Sequence, residues 1–347
     1  MRVSELGERG LILRIRRAVG SGAPGVAVGI GDDSAVLEPS RGTRLLATTD
    51  LLLEDIHFRR RYAEPADIGW KALAVNLSDI AAIGGTPRFA LVALACPAGT
   101  EVDDIDAFYE GMRLAAAPHG VVIVGGDTSA SPDRWIVNVT LLGELEGAPK
   151  LRSGARPGDL LAVTGALGES ATGLALLEAT TAGAAAPALD RVEQPLRDKV
   201  SQAHLRPVAR VAEGRWLGAS PAVNALIDLS DGLAADLGHL TSESSAGARV
   251  YLEKLPISEA VWSVAAALAR DPFELAVAGG EDYELLLAAD PSAFPALAAG
   301  LEAATGTPLV AIGEIVEAEA GVAFLNSRGE PVPVGLGFEH FSSARSR

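Results

Sequence analysis

Short apolar runs that stop at an aspartate beside glycine, serine or threonine recur along this chain, and they confine it to short strands and helices joined by tight turns. Five such clusters stand out: Gly29-Ile30-Gly31-Asp32-Asp33, Thr48-Thr49-Asp50, Asn76-Leu77-Ser78-Asp79, Gly125-Gly126-Asp127-Thr128 and Ile227-Asp228-Leu229-Ser230-Asp231-Gly232. Each is expected where an apolar strand gives way to a turn or a helix start.

Around these clusters the apolar spacing predicts a helix over 5–19, strands over 27–30, 34–37 and 44–49, and a helix over 65–84. A strand over 89–94, a helix over 103–117 and strands over 121–124 and 135–143 follow. Turn formers in Leu145-Glu146-Gly147-Ala148-Pro149 then separate two apolar runs, which divides the chain into domains 1–148 and 149–347. A length of 347 residues suits two hydrophobic cores better than one. The second domain reads as a strand over 159–164, a glycine-punctuated helix over 166–178, a strand over 222–227, a helix over 232–242, strands over 249–252 and 284–288, and a helix over 291–305. Residues 180–188 are low in complexity and read as a surface loop or a frayed helix end. Both domains are α+β, without a fixed-period repeat.

The net charge of -16 repels nucleic acid and anionic membranes, so neither is an expected partner. Cys96 is the only cysteine, which excludes an intrachain disulfide and a cysteine-based zinc site and fits a reducing cytoplasm. Residues 1–17 interleave Glu5, Glu8 and Arg9 with their apolar positions and lack a signal-peptide core, so export is not expected. The apolar runs 89–96 and 260–269 fall short of the roughly 20 residues that span a bilayer.

Scattered loop aspartates suit magnesium, which is held by one or two carboxylates plus substrate phosphates and keeps several waters. Asp and Gly also mark turns and helix caps, so a single cluster carries little weight and five together carry more. At the end of the strand over 222–227, Asp228 and Ser230 fall on one face while Asp231 is placed to cap the next helix. Gly125 and Gly126 allow close backbone approach to a ligand such as a phosphate. No Gly-Lys-Ser/Thr phosphate loop and no His-Arg-Asp kinase set occurs, which disfavours the two best-known ATP-binding folds. His57 serves either as a structural residue or as a phosphate contact, and the run Arg59-Arg60-Arg61 either as a solvated face or as an anion site. Arg152, among Ser153 and Gly154, is the better phosphate candidate. Gly279-Gly280-Glu281-Asp282-Tyr283-Glu284 suits a ligand-contacting turn or a tight turn with solvated acids. Phe338 and Phe341 either fold onto the core or stack on a planar substrate.

In this order the motifs resemble those of the thiamine-monophosphate kinases, within the superfamily that includes aminoimidazole ribonucleotide synthetase, selenophosphate synthetase and a hydrogenase maturation factor. The resemblance runs from the Gly-Ile-Gly-Asp-Asp turn to Phe338-Glu339-His340-Phe341 and so covers nearly the whole chain. It implies a two-domain α+β fold like that of aminoimidazole ribonucleotide synthetase, with an N-terminal ATP- and magnesium-binding domain whose sheet pairs with a second subunit into a dimeric barrel. It further implies that Asp33, Thr49, Asp50, Asp79, Asp127, Asp228 and Asp231 hold Mg2+, with Asp32 and Thr48 as additional ligands. Tyr109, Gly126, Asp127, Arg152 and Ser230 would contact ATP; His57, Glu281 and Phe338 would contact thiamine monophosphate. Asp33, Asp127 and Asp231 are the positions expected to carry catalysis. Asp55 and Leu336 depart from the family pattern, which commonly has a small residue and a tryptophan there.

The implied reaction is direct attack of a substrate phosphate oxygen on the γ-phosphate of ATP, which needs positioning and charge neutralisation rather than a general base. Selenophosphate synthetase would need a reactive cysteine near the N-terminus and the maturation factor a C-terminal one, neither of which occurs. Two alternatives stay open: an aminoimidazole ribonucleotide synthetase-like enzyme, and a non-catalytic nucleotide- or metal-sensing module.

Overall fold

Leu11 and Ile15, one helical turn apart and buried, set the inner face of α1 (Val3–Val19). In this computed structural model, residues 1–20, 23–30, 34–183 and 188–338 are described. The chain divides into two units, Met1–Pro149 and Lys150–Arg347.

In the first unit, the short pair β1 (Val26–Val28) and β2 (Val36–Leu37) is followed by β3 (Arg44–Leu53). Pro65, at the first turn where its missing N–H costs nothing, opens α2 (Pro65–Ala82). Next come β4 (Thr86–Pro97), α3 (Val102–Ala116), β5 (Val122–Ser131) and β6 (Ile136–Leu145). Four strands form a sheet in the order β3-β6-β4-β5, antiparallel except for the parallel β4–β5 pair. Helices α2 and α3 pack together, and α2 rests on β3, β4 and β6. Val137, Val139 and Leu141 point into this layer and are fully buried. The opposite face leaves Leu45, Leu51 and Ile136 exposed.

Three expectations change here. Thr48-Thr49-Asp50 lies within β3, Asn76-Leu77-Ser78-Asp79 lies within α2, and Gly125-Gly126-Asp127 lies within β5, so none of the three ends a strand. Leu51 to Leu53 carry β3 past its aspartate. At Gly126 a Cβ would stand 1.8 Å from the carbonyl oxygen of Val92, so the glycine serves the approach of β4.

In the second unit the elements are β7 (Leu160–Thr164), α4 (Glu169–Thr181), α5 (Gln194–Leu205), α6 (Val211–Ala219), β8 (Val223–Asp228), α7 (Leu233–Ser244), β9 (Gly247–Tyr251), α8 (Glu259–Ala267), α9 (Pro272–Ala278), β10 (Leu285–Ala289), α10 (Phe294–Thr305), β11 (Leu309–Val316) and β12 (Val322–Leu325). Six strands lie in the order β12-β9-β11-β7-β10-β8, with only β12–β9 parallel. Every residue of β10 is buried, as expected of a continuous apolar run covered on both faces. On one side Leu229, Leu233, Leu237 and Leu240 pack with sheet residues such as Ile227 and Leu286 into a large core; Leu176, Val200, Val261 and Val264 form a smaller one. The sequence reading had no element at α5, α6, α9, β11 or β12. Among the described residues, no helix is long and apolar enough to cross a membrane.

Gly111 tests the packing of α2 on α3 directly, because a Cβ there would lie 1.9 Å from the carbonyl oxygen of Ala66. Gly111→Ala is expected to destabilise the protein by about 1–3 kcal/mol through overpacking, read as a lower urea midpoint at unchanged slope. An unaltered midpoint would show that the helices do not cross this closely.

Candidate active site

In the first unit, sheet register sorts the expected ligands by face. Thr48 pairs with Leu141 and Asp50 with Val139, rows that continue through Ala90 and Val92 beneath the helices. Asp79, near the end of α2, reaches the same side and accepts a hydrogen bond from the Thr48 hydroxyl. Thr49 pairs with Thr140, which pairs in turn with Leu91, while Asp127 pairs with Ala93 in the row of Asn138 and Leu51, which places both on the opposite face. Thr48, Asp50 and Asp79 are therefore gathered, and Thr49 and Asp127 are not gathered with them. Asn138 ties the two rows together, since its amide donates to Thr49 Oγ1 at 3.0 Å and to the Asp50 carbonyl at 2.9 Å. Asp32 and Asp33 lie outside the described residues.

His57 stands in the turn after β3, where its Nδ1 accepts the Leu53 N–H at 3.0 Å. A neutral ring in that arrangement carries its hydrogen on Nε2, which makes the outer nitrogen a donor. Tyr109 is 4% exposed, edge-on to Phe108 in the core, and burial pushes its phenol well above the ordinary range. The hydroxyl thus stays a neutral donor.

In the second unit, three backbone hydrogen bonds lock separate loops together. The Glu281 N–H donates to Ser230 O at 2.8 Å, Tyr283 N–H to Leu229 O at 2.9 Å and Phe338 N–H to Asp231 O at 3.0 Å. Ser230, Asp231, Glu281 and Phe338 are brought together by these bonds, with Asp228 buried at the end of β8. Arg152 is exposed, on a segment held to β8 by the Leu226 N–H to Leu151 O bond, and its own carbonyl accepts from Ser244. The N-cap of α7 is Gly232 rather than Asp231, and Asp236 inside the helix accepts from the N–H groups of both at 3.1 Å. Asp231 therefore does not cap α7.

Asp236 is 2% exposed, and burial together with the Asp228 and Asp231 carboxylates pushes it up to about 8. Such crowding of carboxylates is what a divalent cation offsets. Among the described residues no three His, Cys, Asp or Glu side chains stand in a metal-holding arrangement. A donor set of one or two carboxylates per ion, completed by phosphates and water, is nevertheless the kind magnesium takes, and Thr48 with Asp79, or Asp228 with Asp231, fits it.

Asp236 and His204 were missed in the sequence, and Asp282, read there within a ligand-contacting turn or one with solvated acids, proves not to be solvated. Asp236 had a signal, four residues past Gly232 on the face of α7 that looks back to its own start. Asp282 accepts from the N–H groups of Gly168 at 2.7 Å and Ser170 at 3.2 Å at the beginning of α4, a contact between residues over a hundred positions apart. For His204 the signal was α5 itself, which carries Pro195 in its first turn and repeats apolar residues at Leu196 and Val200.

The chain matches two family models, "AIR synthase related protein, N-terminal domain" over residues 31–145 and "AIR synthase related protein, C-terminal domain" over 156–326. A thiamine-monophosphate kinase of Bacillus subtilis is 42% identical over 261 residues, covering 75% of this chain and 77% of its own. The crystal structure of a thiamine-monophosphate kinase from Stenotrophomonas maltophilia superposes with a TM-score of 0.80 at 36% identity, covering 93% of this chain and 96% of that one. A solved structure of AaThiL complexed with AMPPCP and TMP gives a TM-score of 0.73 at 36% identity, over 97% and 98% of the two chains.

Burial pushes the Asp282 carboxyl up to about 8, against the lowering effect of the Gly168 and Ser170 N–H groups. A raised native value means that the folded protein keeps a proton the unfolded chain loses near pH 4, so stability falls as pH rises from about 4 through about 8. Asp282→Asn should lose less stability than wild type between pH 5 and pH 8 in urea titrations. An equal or steeper fall in the variant would show that Asp282 ionises normally.

Proposed function

We propose that this chain, which belongs to the thiamine-monophosphate kinase family of the AIR synthase related proteins, transfers the γ-phosphoryl group of ATP to thiamine monophosphate. The single observation that carries the reading is the convergence of Ser230, Asp231, Glu281 and Phe338 on interlocked loops, in a chain more than a third identical to such kinases over most of its length. The complex of AaThiL with AMPPCP, an ATP analogue, and TMP supports the same pair of substrates here.

In the proposed step a terminal phosphate oxygen of thiamine monophosphate forms the bond to Pγ while the bond from Pγ to the β,γ-bridging oxygen breaks, and ADP leaves. The nucleophile is already anionic, so the protein's task is alignment and charge neutralisation. Arg152 supplies a cation to the nucleotide phosphates, with Ser230, Gly126, Asp127 and Tyr109 as further ATP contacts. Thr48, Asp50 and Asp79 on one face of the first unit's sheet, and Asp228 and Asp231 in the second unit, would hold Mg2+, which would supply charge stabilisation to the triphosphate; Thr49 and Asp127, on the other sheet face, would act apart from that first group. His57, through Nε2–H, donates to the acceptor phosphate; Glu281 meets the cationic thiamine portion and Phe338 its ring. Asp127 and Asp231 with Asp33 carry the catalytic charge balance.

Purified protein given ATP, magnesium and thiamine monophosphate is expected to make thiamine diphosphate and ADP in equal amounts. ADP release with another acceptor alone would move the assignment within the superfamily, and no turnover would favour a sensor. Asp231→Asn should cut kcat by roughly a hundredfold or more, the several kcal/mol a metal-held charge supplies, with an unchanged melting profile. A wild-type rate would remove Asp231 from the ligand set.

We infer also that the first unit's sheet pairs with that of a second copy. Leu45, Leu51 and Ile136 are 62%, 50% and 36% exposed on its uncovered face, an apolar surface that suits burial against an identical partner. Leu51→Lys should turn a dimer into a monomer in sedimentation velocity. Dimers persisting in that variant would move the interface elsewhere.

A further inference from the structure

We propose that His204 is a positioning residue that aims the Glu281 carboxylate at the acceptor substrate; the inference rests on the reading of Glu281 given above. Glu281 has a φ of +66°, a backbone conformation that L residues rarely adopt, and its N–H is held by the Ser230 carbonyl. The backbone of this residue is thus fixed, but a glutamate side chain keeps three further torsions. Something must direct its carboxylate.

His204, near the end of α5, is 3% exposed, and its Nδ1 lies 3.2 Å from Glu281 Oε2. Ser170 on α4, 1% exposed, places its Oγ 3.1 Å from the same nitrogen. An ionised carboxylate can only accept, so Nδ1 carries the hydrogen and donates to Glu281. Asp282, the next residue, is anchored at the beginning of α4 through the Gly168 and Ser170 N–H groups. Two consecutive acidic residues are therefore tied to the α4–α5 pair by directional bonds.

The Glu281 side chain is 24% exposed, so crowding alone does not fix it, and a bond from a buried donor to a charged group is of the stronger kind. Without the His204 donor, the Glu281 carboxylate loses a bond that directs it, and acceptor binding bears the cost of orienting it.

The test compares His204→Leu, which removes the donor, with His204→Asn, whose amide nitrogen reproduces the position of Nδ1. In His204→Leu the KM for thiamine monophosphate should rise about tenfold, the size expected of one charge-assisted bond, with kcat and the KM for ATP within about twofold of wild type. His204→Asn should recover most of the loss. In a Glu281→Gln background, His204→Leu should add little, because the two changes act through one contact. An unchanged acceptor KM, a parallel rise in both KM values, or a full additional loss in the Glu281→Gln background would overturn the proposal. The contact is read independently of turnover by nitrogen-15 spectra of labelled histidine. The Nδ1–H signal of His204 should move in Glu281→Gln, and a signal indifferent to that change would overturn the proposal even if thiamine monophosphate were not the acceptor.

Discussion

The carbonyl oxygens of Leu229, Ser230 and Asp231 accept hydrogen bonds from Tyr283, Glu281 and Phe338, and this backbone clasp is what the rest of the second unit's chemistry hangs on. It joins the segment after β8 to the loop before β10 and to the segment at Phe338, and within the first of these burial and the Asp228 and Asp231 carboxylates raise Asp236. A fold that tolerates such an arrangement does so because two of the lone pairs involved are already engaged by the backbone N–H groups of Asp231 and Gly232.

The first unit solves a related problem differently. Its polar residues sit on a sheet rather than on interlocked loops, and rigid strand pairing determines which of them can act together. Thr48, Asp50 and Asp79 converge because a helix crosses the strand that carries the first two. Positioning on regular elements gives precision that loops lack, which suits a reaction whose catalysis consists mainly of alignment and charge balance.

Much of this was readable from the residues alone. The alternation of helices and strands in the first unit followed from apolar spacing, and the Asp228 to Gly232 segment was correctly placed between a strand and a helix. The errors have a common physical origin. Aspartate was treated as a turn former, yet in β3 the apolar Leu51 and Leu52 and in α2 the run from Ile68 to Ile80 override that local preference through burial. The helix α5 was hidden because Arg197, Asp198 and Lys199 break up its apolar face, leaving Leu196 and Val200 as a thin stripe. With α5 unseen, His204 had no place, and no local pattern announces that it meets Glu281, a residue 77 positions further along the chain (281 minus 204). Contacts of that span are properties of the tertiary structure.

The two-sided placement of neighbouring polar residues on β3 has a consequence for how this chain can vary. Because consecutive residues face opposite ways, one inserted or deleted residue upstream within the strand would send Thr48 and Asp50 outward and Thr49 inward in a single event. Length in this stretch is therefore as constrained as identity: an odd-numbered indel there would turn Thr48 away from Asp79 and Asp50 to the other face while leaving the composition intact.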